Sequence, residues 1–299
     1  MTSALHSAFG ITYWPEEDVS LPMTGGRALP NDDGCIFCGN RPLTKEHIWG
    51  QWVLEHVSRT TNKYQFGKVI LGKNQKDTTE DSRIRTGDPL NANVRVVCSN
   101  CNNGWMSQIQ SNAKPHLIPL FKGESVWLDK KAQAAIAAWA IMSTFTAEHI
   151  QRSPSETTVP QADRTRFMDG PPLANWRVWI APYRRDKWIG QWVHSSVPIH
   201  SAGGTAPMTD DGRPRPNAQN TTFVVGQLYV HTMSGPYPNF VHDWDWRGAD
   251  RGRDLLRQIY PTAYRRIAWP TTELTDDDAI KFATAFQNFI RSIEQADRA

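Results

Sequence analysis

The feature that most constrains this chain is a pair of Cys-x-x-Cys motifs, which together contain all four of its cysteines. Cys35 and Cys38 form the first motif, and Cys98 and Cys101 form the second, with 59 residues between Cys38 and Cys98. Each pair can hold one side of a metal ion through two thiolates, and two pairs complete a tetrahedral four-sulfur zinc site. The cysteine pattern therefore predicts that two distant segments meet at one structural metal.

Other uses of the cysteines are weaker. Disulfides are disfavoured in a reducing cytosol, and a redox motif would not explain the duplicate. Four small buried apolar side chains remain as the alternative. The separation exceeds the usual roughly 15–20 residues between zinc-binding pairs, but the cost of closing a loop rises slowly with its length. Gly34 and Gly39 flank the first motif, where the backbone must turn sharply. Because four thiolates fill the coordination sphere of zinc, this metal would stabilise the fold and would not catalyse.

Polar residues accompany both motifs at short distances. Glu46 and His47 follow Cys38 by eight and nine residues, Asn93 precedes Cys98 by five, and Asn102 directly follows Cys101. If both motifs bind one zinc ion, these polar side chains come close to each other. The zinc site would thus position a candidate catalytic group.

This arrangement resembles the HNH endonucleases of the ββα-metal fold, in the version supported by a four-cysteine zinc. The resemblance rests on C-x-x-C, E-H-I and N-x-x-x-x-C-x-x-C-N within about residues 34–112, a quarter of the chain. It implies that His47 is the general base, that Glu46 and Asn102 bind a catalytic divalent metal ion, and that Asn93 holds the histidine ring. The family often has proline shortly after this histidine, whereas Gly50 stands here.

The implied chemistry is consistent with the residue types. A histidine can accept a proton from water near neutral pH. A metal held by oxygen ligands can neutralise charge that develops on a phosphodiester, and oxygen ligands suit Mg²⁺ or Mn²⁺. The resemblance therefore predicts hydrolysis of DNA phosphodiester bonds. Such domains are common in phage, mobile-element and bacterial defence systems, so the resemblance implies that setting too.

Each of these residues also has a structural interpretation. Glu46 could be an exposed carboxylate at a strand end, His47 a core histidine, and Asn102 the cap of the following helix. Asn103 competes with Asn102 for the metal, and Asn91 competes with Asn93. Trp105 is predicted to anchor the helix in the core.

Charge permits a nucleic-acid partner without requiring one. Residues 31–125 carry 12 Lys+Arg and 9 Asp+Glu, within a chain of formal net charge +3. Phosphate contacts are predicted for basic residues of this region, with a solvated surface as the alternative. These residues are Lys45, Lys68, Lys73 and Arg95, and the loop that contains Lys68 and Lys73 adds Lys76, Arg83 and Arg85.

The predicted fold class is α+β: an HNH-like ββα-metal domain over 31–125 with its structural zinc, then a larger α+β region over 126–299. Residues 1–30 are predicted to be irregular. Residues 65–88 should form a short apolar strand followed by a polar loop. Further expectations are a buried helix over 131–150, two strands around a turn at 184–186 within 175–194, a loop over 201–220, one central strand over 221–233 and a helix over 274–299.

Three function classes compete. The first is the metal-dependent endonuclease, the second a zinc-stapled nucleic-acid-binding protein without catalysis, and the third a sensor or interaction protein with a triggered nuclease. A palindromic cut would need two active sites, which leaves a homodimer open. No apolar run is long enough to cross a membrane, and no secretory signal is recognisable, so the expected location is the cytoplasm.

Four tryptophans in 176–192 raise a separate question. They could form a stacking platform for bases, but we expect them to pack in the core. These residues are Trp176, Trp179, Trp188 and Trp192.

Overall fold

The computed structural model of the chain describes ten segments. They are residues 34–58, 63–70, 79–150, 157–170, 173–188, 190–199, 207–209, 212, 215–237 and 252–296. The predictions for residues 1–30, and for Lys73 and Lys76, lie outside these segments. Among the helices of the described segments, none is both long and apolar enough to span a bilayer.

The described strands form three sheets, and the largest has seven strands in the order β10-β6-β9-β8-β7-β2-β3. Two small sheets pair β1 with β4 and β5 with β11. The strands are β1 (Leu43–His47), β2 (Lys63–Ile70), β3 (Thr79–Thr86), β4 (Asn93–Cys98), β5 (Val126–Asp129), β6 (Trp176–Pro182), β7 (Gly190–Val197), β8 (Ala218–Val225), β9 (Leu228–Ser234), β10 (Arg257–Tyr260) and β11 (Arg266–Trp269).

Helices are interspersed with these strands, so the α+β class is confirmed. They are α1 (Ser99–Cys101), α2 (Ser107–Lys122), α3 (Lys130–Ala147), α4 (Gln161–Met168), α5 (Gly252–Leu255) and α6 (Asp276–Ala296). A π-helical segment, Asn102–Met106, joins α1 to α2, and short 3-10 helices span Gln51–Glu55 and Pro89–Asn91.

The seven-stranded sheet is buried on both faces at its centre, where every residue of β8 and β9 is buried. Along β6, Trp176 and Val178 belong to the core that α3 covers, whereas Trp179 and Ala181 belong to the core that α6 covers. Successive side chains of a strand point to opposite faces, so both sets must be apolar. The predicted core role of these tryptophans is confirmed: Trp176, Trp179 and Trp192 are buried, and Trp188 is half-buried.

Helix α3 lies in the interior, as predicted for 131–150. Its alanines and larger apolar residues are buried around nearly the whole circumference. Asp129 begins the helix, because its carboxylate accepts a hydrogen bond from the backbone of Ala132 over 2.8 Å. The C-terminal helix is also confirmed, as α6.

The structure corrects two of the strand predictions. β6 and β7 do form, but they are not a hairpin: β6 pairs with β9 and β10, and β7 pairs with β8 and β2. The predicted single strand over 221–233 is the hairpin of β8 and β9, which turns at Gly226 with a φ of +57°. A two-residue turn inside an apolar run leaves little sequence signal, and local sequence does not select distant partners.

Strand pairing joins the two regions predicted from sequence. β2, from the first region, pairs in parallel with β7 of the second, and β3 extends the sheet beyond it. Thus 79–86, expected as polar loop, forms an edge strand, and 218–220 of the expected loop begin β8. The seven-stranded sheet and the main core both contain residues from either side of 125/126. The division into two domains there stays a prediction.

Candidate metal centre and active site

The first cysteine pair lies on a tight turn. The amide of Gly39 donates to the carbonyl of Cys35 over 2.8 Å, and that of Cys35 donates to Asn40 over 3.1 Å. Gly39 has a φ of +74°, and a Cβ on Gly34 would lie 2.5 Å from the carbonyl oxygen of Gly39. Both positions therefore require glycine, as the sequence indicated.

The second pair lies where β4 becomes helix. Cys98 is the last residue of β4, and Cys101 is the last residue of α1. The amide of Ile36 donates to the carbonyl of Val96 over 2.9 Å, which places the first turn against β4. This bond explains how cysteines 60 positions apart come together.

The four sulfurs form one cluster. The Sγ atoms of Cys35, Cys38, Cys98 and Cys101 all lie within 4.8 Å of one another, and Cys38 Sγ is 3.5 Å from both Cys98 Sγ and Cys101 Sγ. A tetrahedral zinc ion with Zn–S bonds of about 2.3 Å would need separations of about 3.8 Å. No disulfide joins them. The donors and spacing thus fit a zinc ion, which would take all four thiolates and leave no open position.

The pKa values of three of these thiols are shifted, and not all in the same direction. Burial raises the pKa of the Cys38 and Cys101 thiols. Burial acts the same way on Cys98, but hydrogen bonds from the Cys101 backbone and from neighbouring thiols outweigh it and lower its pKa. Since zinc binds thiolates, metal binding at this cluster must release protons.

The β1–β4 ladder brings the polar residues together. His47 stands directly opposite Asn93, and Glu46 stands opposite Val94. The pairing shifts between Thr44 and Glu46, at a bulge in the ladder. Two of the residues predicted for one site, His47 and Asn93, are therefore cross-strand neighbours.

Glu46 is the most buried of the four predicted catalytic residues, with 6% of its surface exposed. Its carboxylate accepts a hydrogen bond from Gln110 Nε2 over 3.2 Å and another from the Asn102 side chain. Burial raises the pKa of Glu46 to about 7, although both hydrogen bonds oppose that rise. An exposed strand-end carboxylate, the alternative considered from sequence, is wrong.

Asn102 faces β1 from the π-helical segment. Its Nδ2 donates to Thr44 Oγ1 over 3.1 Å, in addition to the bond with Glu46. The backbone leaves helical geometry at Gly104 of this segment, with a φ of −93° and a ψ of −114°, so the segment is a kink between α1 and α2. The competing residue Asn103 is exposed. Asn102 is not the N-cap of the following helix α2, which is Met106; it is the C-cap residue of α1.

His47 is half-buried at the end of β1. Burial lowers the pKa of its imidazole, and the positive charge of Lys45 lowers it further. The ring is therefore neutral near pH 7, as a general base requires. His47 is the last residue of β1 and directly follows Glu46.

Asn93 is exposed and donates from Nδ2 to the carbonyl of Asn91 over 2.8 Å. Asn91 in turn donates from its own side chain to Asp88 Oδ2 over 3.4 Å. These two hydrogen bonds hold the Asn93 side chain in place opposite His47.

The predicted phosphate contacts separate into two groups. Lys45 and Arg95 are exposed on the β1–β4 sheet, and Arg95 donates from Nη1 to the carbonyl of Leu43 over 3.4 Å. Lys68 is only 3% exposed, so its predicted contact with a nucleic acid is wrong. The sequence shows a charge there, but β2 lies within the sheet and turns this side chain inward.

Sequence reasoning missed Gln110 and the role of Gly50. Trp52 Nε1 donates to Gln110 Oε1 over 2.9 Å, which orients the amide toward Glu46. Gly50 has a φ of +83°, and a Cβ there would lie 2.1 Å from Gln110 Oε1. The sequence offered one sign of this contact, Gly50, which stands where the HNH family often has proline.

Trp105 packs as predicted. Its ring meets Phe37 edge-on with centroids 4.8 Å apart, and Phe167 with centroids 5.8 Å apart. Gln161 of α4 also donates to the carbonyl of Ile36 over 3.0 Å. The cysteine turn is thus held by α4 as well as by β4.

Comparison with known proteins adds no relative. No protein-family model, no curated protein and no solved structure matches this chain.

Proposed function

We propose that this protein is a metal-dependent endonuclease of the HNH type, which hydrolyses DNA phosphodiester bonds. The observation that carries the proposal is the hydrogen bond between Glu46 and Asn102, next to a four-thiolate cluster and beside the His47–Asn93 pair. In this proposal β1, β4 and the helix after Cys101 are the ββα-metal unit. Binding alone would not need a buried carboxylate beside a neutral histidine.

The residues present suit the proposed catalytic ion. Glu46 offers a carboxylate and Asn102 an amide oxygen, and both are ligand types that Mg²⁺ and Mn²⁺ accept. When bound, such an ion would stabilise negative charge on the phosphate and the leaving oxygen. A nearby cation also favours the ionised form of Glu46, which burial otherwise disfavours.

The chain's own residues would perform the proton transfer. His47, kept neutral by burial and by Lys45, would take a proton from the attacking water. Asn93, opposite it, would limit the orientations of the ring. Lys45 and Arg95, exposed on the β1–β4 sheet, would contact phosphates and hold the nucleic-acid strand in register.

A second function is favoured by the same contacts. The Glu46 carboxylate already has hydrogen-bond partners in Gln110 and Asn102, as a purely structural carboxylate would. On this observation the protein is a zinc-stapled nucleic-acid-binding protein without catalysis. The two proposals differ in one measurable property, the hydrolysis of DNA.

The test uses plasmid DNA, the full chain and a matched histidine control. The parent should nick or cut the plasmid with Mg²⁺ or Mn²⁺, and omitting the ion should stop the reaction without chelating the zinc. His47→Ala should abolish cutting, whereas His56→Ala, at a half-buried histidine just after the next short helix, should retain it. Thermal unfolding should show that both variants are folded. Equal cutting by His47→Ala and the parent would rule out the mechanism.

A further inference from the structure

The small sheet of β5 and β11 presents an exposed tryptophan. Trp127 is 57% exposed, among the most exposed large apolar residues of the described segments. Its neighbours along and across the ribbon, Leu128, Ile267 and Trp269, are buried and attach the sheet to the core. The ribbon is therefore firmly held, and its outer face exposes an indole that does not contribute to the core.

An arginine lies on that indole. The guanidinium carbon of Arg266 is 4.5 Å from the centroid of the Trp127 ring. Ala268, directly opposite Trp127 in the ladder, is too small to cover the ring. A guanidinium that lies over an aromatic ring keeps its N–H groups free in its own plane, where they can bind phosphate. The pair is thus ordered before any ligand arrives.

The charges around the pair are mostly positive. The segments 125–131 and 262–270 contain four basic residues, Lys130, Lys131, Arg265 and Arg266, and a single acidic residue, Asp129. All four basic side chains are exposed, and the carboxylate of Asp129 already accepts the capping hydrogen bond of α3. The surface therefore complements a polyanion.

Tyr264 adds a second aromatic ring, 38% exposed. Its carbonyl accepts a hydrogen bond from the buried side chain of Gln133 over 3.1 Å, which fixes the loop before β11 against α3. We define the Trp127–Arg266 surface as Trp127, Tyr264, Arg265, Arg266 and the two lysines at the start of α3.

We propose that the Trp127–Arg266 surface binds an unpaired stretch of nucleic acid, with a base stacked against Trp127 and phosphates on the basic residues. Base stacking on an aromatic ring and a groove of positive charge are the two components of single-strand binding. An acidic peptide would satisfy the charges but not the indole. The inference rests on the proposed function only in taking a nucleic acid as the ligand.

The surface is a second contact point, separate from the candidate active site. Helix α2 runs between them, from the π-helical segment that contains Asn102 to the start of β5. Its 16 residues span roughly 24 Å at about 1.5 Å per residue. The surface would hold the nucleic acid several nucleotides from the cut and would therefore set how the strand is positioned.

The test measures binding, without cleavage, by fluorescence anisotropy of a labelled single-stranded oligonucleotide in the absence of Mg²⁺ and Mn²⁺. Trp127→Ala should weaken binding about ten-fold, as loss of one stacked base would. Arg266→Ala should lower the slope of log affinity against log salt by about one. The controls are Ile84→Ala and Arg184→Ala, which remove an exposed apolar and an exposed basic residue elsewhere.

A strand of the same length with abasic sites separates stacking from charge. Trp127→Ala should bind it as the parent does, and Arg266→Ala should bind it more weakly. The inference is overturned if Trp127→Ala binds the normal strand as tightly as Ile84→Ala does, if it loses as much on the abasic strand, or if the parent does not bind. A result in which Trp127→Ala binds weakly while the parent cuts no plasmid would reject the nuclease and keep this surface.

Discussion

Gln110 donates a hydrogen bond from its side-chain amide to the carboxylate of Glu46, with 3.2 Å between Nε2 and Oε1. The bond connects α2 to β1 across 64 positions of sequence. The other side of the amide is occupied by Trp52, and Gly50 lies against both. The position of Glu46 therefore depends on a residue that contributes no side chain.

The first prediction concerns Gly50. Gly50→Ala should reduce the free energy of unfolding by about 2 kcal/mol or more, because alanine is strained at positive φ and its Cβ displaces Gln110. Gly170→Ala is the matched control, since Gly170 has a φ of +97° with nothing within 4 Å of a Cβ. Chemical denaturation compares the two. An equal loss in both variants would show that only the φ matters and that Gln110 is not displaced.

The second prediction concerns the sulfur cluster. The purified chain should carry one zinc ion, and a chelator should lower its melting temperature. Cys98→Ser should lose most of the zinc and several kcal/mol of stability, because structural zinc contributes folding free energy directly. Ser99→Ala, which changes the next residue and no ligand, should keep both. Elemental analysis and calorimetry measure these effects. Full zinc content in Cys98→Ser would contradict the assignment.

The sequence predicted those parts of the site that short motifs specify. Two Cys-x-x-Cys pairs identified the cluster of Cys35, Cys38, Cys98 and Cys101, because thiolates in this spacing have few other uses. The same motifs placed Glu46 and Asn102 within one neighbourhood, and these side chains are hydrogen-bonded in the structure. The catalytic roles of these residues remain a proposal.

The sequence did not predict contacts made at long range. Gln110 lies in the first turn of α2, and nothing local distinguishes it from an ordinary exposed glutamine. Lys68 looked like a phosphate contact because charge is visible in a sequence and burial is not. The pairing of β2 with β7 depends on the whole sheet, so no local pattern in either strand indicates its partner.

A buried ion pair shows the same limit and leads to the third prediction. Glu148, fully buried, accepts a hydrogen bond from Arg164 Nη2 over 2.8 Å, and from the backbone of Thr158 over 2.9 Å. Burial favours its neutral form, but Arg164 and then His194 hold its pKa below the usual value. Neither residue stood out in the sequence.

Glu148→Gln should cost about 3–5 kcal/mol, because it leaves the charge of Arg164 buried without a counter-ion. The double variant Glu148→Gln with Arg164→Met should lose less than the sum of the two single changes. Glu124→Gln breaks the exposed pair with Lys122, whose charged atoms are 3.9 Å apart, and should cost under about 1 kcal/mol. Chemical denaturation gives all four values. Additive losses at Glu148 and Arg164 would show that the pair is not coupled.

The fourth prediction is the pH dependence of stability through His194. Burial lowers the pKa of this histidine to about 4, while Glu148 raises it and Lys68 lowers it. Its Nδ1 shares a hydrogen bond with Thr221 over 2.8 Å, and its Nε2 faces Thr158 at 3.3 Å. The folded state therefore holds a neutral ring where the unfolded chain, with a pKa of about 6.5, takes up a proton.

The direction in which stability changes with pH follows from this difference in pKa. Above about pH 6.5 the ring is neutral in both states, and its contribution to stability is fully present. As the pH falls from about 6.5 toward 4, the unfolded state binds the proton first, and stability falls by about 1.4 kcal/mol per pH unit. Buried His149 and His231, with pKa values lowered to about 3, add to the loss in the same direction.

Denaturant unfolding at pH 7, 6 and 5 measures the slope of the free energy of unfolding against pH. His194→Gln should reduce it by about one proton, because glutamine does not titrate in this range. Thr221→Val removes the hydrogen-bond partner of the ring without removing a titrating group, so it should lower stability at every pH and change the slope little. If His194→Gln keeps the slope of the parent, the buried imidazole is already protonated in the folded state, and the assignment of a neutral His194 beside Glu148 is wrong.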